Sequence, residues 1–81
     1  MNKKTCIFET FKDFKRICKG LFADVEDFNI GFDIMEGIYF SGINDNDVYK
    51  RLAAYYHVAP ITSIHTDHFD TTGVWICYKK H

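Results

Sequence analysis

The sequence predicts an α+β fold in which two helices pack on one face of an antiparallel sheet. Two segments space their apolar residues at three- and four-residue steps. Others are β-branched and aromatic, one of them with clean period-two alternation. The chain has 81 residues, which is room for one domain, residues 1–81, and no second. A single proline and the lack of any Gly/Ser-rich stretch leave no linker to divide it.

Taken in order, Lys4 to Phe8 can add a strand at the front. From Thr10 to Phe22, Phe11, Phe14, Cys18, Leu21 and Phe22 form one apolar stripe, while Lys12, Lys15, Arg16 and Lys19 fill the other face. Thr10 with Asp13 three residues on approximates a capping box. Phe28, Ile30, Phe32 and Ile34 alternate with Asn29, Gly31, Asp33 and Met35, the pattern of a half-buried strand. A two-residue turn at Glu36-Gly37 pairs Met35 with Ile38, Ile34 with Tyr39, Asp33 with Phe40 and Phe32 with Ser41 on a return strand, Ile38 to Ile43. A second helix runs from about Asp45 to His57, opened by Asn44, Asp45, Asn46 and Asp47 and turning Val48, Leu52, Tyr55 and Tyr56 inward. Pro60 stands beyond its end. Ile61 to Phe69 and Val74 to Tyr78 make a second hairpin across Asp70-Thr71-Thr72-Gly73. The order is βαββαββ, a ferredoxin-like core plus one strand, or αββαββ without the first. An echo at a spacing of 35 to 36 residues, Phe14-Lys15-Arg16-Ile17 with Tyr49-Lys50-Arg51-Leu52 and Gly37-Ile38-Tyr39-Phe40 with Gly73-Val74-Trp75-Ile76, fits a tandem αββ repeat.

Composition narrows the function classes. Hydrophobic residues are 47% and aromatics 17%, enough for a core and too many for a disordered tail. No apolar run is long enough to span a membrane, and charges arrive too early for a secretory signal, so a cytoplasmic protein is expected. Cys6, Cys18 and Cys77 are widely spaced with no CxxC pair, and read as free buried thiols.

The net charge of −1 conceals a strong polarity along the chain. Residues 1–19 carry a balance of +4, residues 20–49 one of −7 with no Lys or Arg, and residues 50–81 one of +2. Asp45 and Asp47 cap the second helix. Asp24, Glu26, Asp27, Asp33 and Glu36 gather on the first hairpin and its lead-in, a negative surface suited to a basic partner. The two-residue turn sends Ile30, Phe32, Ile34, Tyr39, Ser41 and Ile43 to the core and leaves Met35, Ile38 and Phe40 outside with Asp33. A bulge at Gly31 or Gly42, or a covering layer, is the competing expectation. Apolar side chains beside carboxylates mark an interaction site or dimer interface.

The leading expectation is therefore a non-enzymatic protein without cofactor, monomer or homodimer, that docks on a basic protein surface through Asp24, Glu26, Asp27, Asp33, Met35, Glu36, Ile38 and Phe40. In scale such a chain resembles the inhibitors that phages and mobile elements encode, anti-CRISPR proteins among them; that likeness implies a mechanism of occupancy and rests on no motif. The alternative is a nucleic-acid-binding module using the basic stripe of the first helix, with Lys3 and Lys4. EGIYFSGI, in the negative third of the chain, lacks the leading basic residue of the RNP1 pattern. A third reading is a metal or acid-base site at His65, Asp67 and His68; on a strand, His65 and His68 point to opposite faces, whereas His65 and Asp67 share one.

Overall fold

A computed structural model describes residues 4–67 and 72–79. The fold is α+β, in the order β1 (Lys4–Glu9), α1 (Phe11–Leu21), β2 (Asn29–Asp33), β3 (Gly37–Ser41), α2 (Asp45–Tyr56), β4 (Ile61–Thr66) and β5 (Val74–Lys79). The front strand forms, so the longer βαββαββ order holds. The strands divide into two antiparallel sheets rather than one, a three-stranded β1-β5-β4 and a two-stranded β2-β3. The expected end of the second hairpin's first strand at Phe69, and residues 70 and 71 of its turn, lie outside the described residues.

Local chemistry accounts for both helix starts. The Asp13 N–H donates to Thr10 Oγ1 at 3.1 Å, and the Asp47 N–H donates to Asn44 Oδ1 at 3.0 Å, each satisfying a donor that the helix itself cannot. α2 ends at His57, whose φ of 55° places it in the left-handed region typical of a helix terminus. Phe14, Cys18 and Phe22 from the first helical segment meet Val48 and Leu52 from α2 over Ile30, Ile61, Val74 and Ile76. Tyr55, expected inward, is exposed on the last turn of α2 and meets Tyr56 edge-on instead.

The cysteine expectation is overturned. Cys6 and Cys77 face each other across the β1–β5 ladder with Cα atoms 4.1 Å apart and form a disulfide, while Cys18 alone of the three is a free, buried thiol. Residues 71 positions apart become neighbours only through the sheet, which is why spacing along the chain concealed the bond. Among the described residues no helix is long and apolar enough to cross a membrane.

Candidate functional site

The first hairpin is built by a side chain that reads as surface charge in the sequence. Asp33 Oδ1 accepts hydrogen bonds from the N–H groups of Met35, at 2.7 Å, and Glu36, at 3.2 Å. This aspartate-capped reversal spans Ile34, Met35 and Glu36, and Gly37, with φ of 83°, closes the ladder opposite Asp33. The turn is therefore longer than the two residues expected. The observed pairs are Ile30 with Phe40, Gly31 with Tyr39 and Phe32 with Ile38, so Asp33 pairs with Gly37 and not with Phe40. A displacement by an odd number of residues exchanges the two faces of the return strand.

The consequence is a corrected surface. Ile38 and Phe40, expected outside, pack against the core; Phe40 lies 6.4 Å from the Phe28 ring and 6.5 Å from that of Phe14. Tyr39 and Ser41, expected inside, face out, Tyr39 with its ring laid over Gly31, where a Cβ would strike it. Ile34, also expected inside, lies in the reversal and is 66% exposed, beside Met35 at 87%. Neither Gly31 nor Gly42 re-aims the strand; Gly42, with φ of 85°, lets the chain leave β3 against the backbone of Asp27 and Phe28.

The expected acidic residues do not gather either. Asp24 is committed to Arg51, whose guanidinium donates to both carboxylate oxygens, at 2.5 and 3.1 Å, and to the Leu21 carbonyl at 2.9 Å while lying over the Phe22 ring. The hydrogen bond from Arg51 holds the Asp24 carboxyl below its ordinary pKa. Asp33 and Glu36 sit at the tip. Glu26 and Asp27 are exposed beyond the opposite end of the hairpin, where Asp27 backs Gly42. What remains as a candidate contact is the tip itself, Asp33 to Glu36, with Tyr39 on the adjoining outer face. Sequence reasoning missed Ile34 and Tyr39; the available signal was Asp33 followed at four residues by a glycine able to adopt positive φ.

The other readings meet their own geometry. In the basic stripe of α1, Arg16 is paired to Asp13 at 3.3 Å, and the Asp13 carboxyl is held low by the Thr10 hydroxyl first and Arg16 second. At the third location His68 lies outside the described residues, His65 is exposed on β4, and Asp67 accepts a hydrogen bond from the Trp75 indole N–H at 3.4 Å. No group of three His, Cys, Asp or Glu able to hold a metal ion occurs among the described residues. Burial pushes the Cys18 thiol up to about 12, so it is not ionised at neutral pH and is no nucleophile. A groove of about 460 Å³ runs between α2 and the start of β4, lined by Tyr49, Lys50, Ala53, Val58 and Pro60 among others. Comparison with protein-family models, curated proteins and solved structures finds no significant match to this chain.

Proposed function

We propose that this chain is a small non-enzymatic binding protein that docks on a basic surface of another protein through the tip of its first hairpin and acts by occupying that surface. The observation that supports the reading is the tip: Ile34 and Met35 are 66% and 87% exposed, side by side, in a reversal fixed by the Asp33 carboxylate. Water around two such side chains is released on contact, and a pre-formed loop loses little conformational freedom on binding. Asp33 and Glu36 supply the charge that steers a basic partner. If that partner otherwise binds nucleic acid, occupancy is inhibition, the mode used by the phage-encoded inhibitors the chain resembles in scale.

A photo-crosslinking side chain placed at position 35 in the living host tests this. It should attach to one protein with a basic face, whereas the same group at the exposed Tyr55 should not, and Glu36→Lys should abolish the attachment with circular dichroism unchanged. Undiminished crosslinking by Glu36→Lys would overturn the reading. We place the encounter in the cytoplasm; there the Cys6–Cys77 pair, bonded in the structure, would be held as two thiols. An alkylating agent added at lysis should then capture Cys6 and Cys77 as thiols; recovery of the intact disulfide would move the protein to an oxidising compartment.

A further inference from the structure

β1 is an edge strand of the three-stranded sheet and pairs with β5 alone. None of its residues from Thr5 to Glu9 is buried, and the core takes only the partly buried Ile7 from it. Phe8 is 44% exposed, with its ring 4.8 Å from that of Trp75 and resting over Gly73, where a Cβ would strike it. A strand held by one ladder and so little buried surface belongs to the part of a fold that opens first. The covalent tie that holds it is the bond between Cys6 and Cys77, register partners within that ladder.

The two cysteines are unequally placed. Cys77 is buried at 7% exposure, whereas Cys6 is exposed. A dissolved thiolate can therefore approach the bond from the Cys6 side in the folded chain, and access is one of the factors that set the rate of thiol–disulfide exchange. We infer that this bond is a redox latch on β1. Oxidised, it clamps the strand to β5; reduced, it lets the strand swing out from Thr10 while the rest of the fold stays intact. The thiolate of a small thiol of the glutathione class attacks Cys6 Sγ, forms a mixed disulfide there and expels the Cys77 thiolate, which takes a proton from water. A second small thiolate attacks the small-molecule sulfur of the mixed disulfide and releases the Cys6 thiolate, protonated in turn. Two electrons pass to the protein and the two small thiols leave as one disulfide; oxidised glutathione reverses both steps and closes the latch. Cys18 is buried in the core and takes no part. Opening uncovers Trp75 and bares the backbone edge of β5, a template for another extended segment. No residue of the docking tip is involved, so the two readings fail separately.

Trp75 is the only tryptophan, so its emission reports on the Phe8 contact. Starting from the oxidised full chain, millimolar reduced glutathione without denaturant should yield two alkylatable thiols. Amide hydrogen exchange read by mass spectrometry should then run at least about tenfold faster in β1, as for a strand released from its ladder, with the protection of α2 retained. Trp75 emission should move to the red with circular dichroism unchanged, and oxidised glutathione should restore both exchange and emission. The Cys6→Ser, Cys77→Ser chain should show the open pattern in either buffer. The assignment is overturned if the bond resists glutathione until denaturant is added, if β1 exchanges equally slowly in the reduced chain or in the double variant, or if α2 loses protection together with β1. The last result would make the bond a staple of the whole fold.

Discussion

Gly37 and Gly42 have nearly the same backbone conformation, φ of 83° and 85°, but different surroundings. A Cβ at Gly37 points into open space, whereas one at Gly42 would collide with the backbone of Asp27 and Phe28. Side-chain ends can rotate away from a new methyl group and a peptide unit cannot. Gly37→Ala should therefore cost only the left-handed penalty, about 1 kcal/mol, and Gly42→Ala that penalty plus displacement of a chain segment, about 3 kcal/mol or more. Urea midpoints of the two variants measure the difference; equal midpoints would mean that the lead-in to β2 yields freely. Of the residues in the candidate site, Met35 and Glu36 are exposed as expected, although Met35 lies in the reversal and not on the strand opposite Ile38. Ile34, Tyr39, Ile38 and Phe40 do not face as expected, because their facing depends on how one carboxylate closes a turn. Asp33 took two backbone N–H groups, lengthened the reversal and so decided which side of β3 is wet.

At the scale of elements, the starts of both helices were legible because capping is local: Thr10 and Asn44 bond to residues three positions ahead. The tie between the helical segments was not, because Arg51 and Asp24 are 27 residues apart. That tie predicts a pH response. Asp24 has a folded-state pKa below its ordinary value, so its pairing adds stability above the unfolded value, about pH 4, and that contribution is lost as pH falls through the folded value. Asp13 contributes with the same sign. Asp24→Asn should thus lower stability at neutral pH and flatten its decline toward acid, as followed by urea midpoints at several pH values; a decline as steep as that of the parent chain would assign the acid sensitivity elsewhere. The internal echo does not extend to the buried faces of the helices. α1 buries Phe14 and Cys18, which the 35-residue spacing maps onto Tyr49 and Ala53, yet α2 buries Val48 and Leu52. The matched residues are thus offset by one position from the packing, and the resemblance follows shared helix chemistry rather than equivalent cores.

For the whole molecule, the bond between Cys6 and Cys77 closes a loop of 71 residues, nearly the entire chain. Restricting the unfolded ensemble over that length is worth about 4 kcal/mol in the chain-entropy account, a large share of the stability of any domain this size. The Cys6→Ser, Cys77→Ser double variant should therefore unfold at a markedly lower urea concentration than the oxidised parent and match the reduced parent. A difference below about 1 kcal/mol would mean that the unfolded chain is already compact. A thiol count separates the states: the oxidised protein should expose one reactive thiol in denaturant, Cys18, and none before it. Fold class and element order were legible because periodicity records which face each element buries. Division into two sheets, and the bond that joins the first strand to the last, depend on contacts between distant segments and leave no trace in local pattern.

Lys4 and Lys79 also lie side by side at one end of the antiparallel β1–β5 ladder. A short peptide could join those two ends, and new termini could be opened in the exposed stretch at Glu26 and Asp27. Such a circular permutant would keep every strand pairing while allowing a fluorophore or fusion partner to be carried far from the β1–β5 edge.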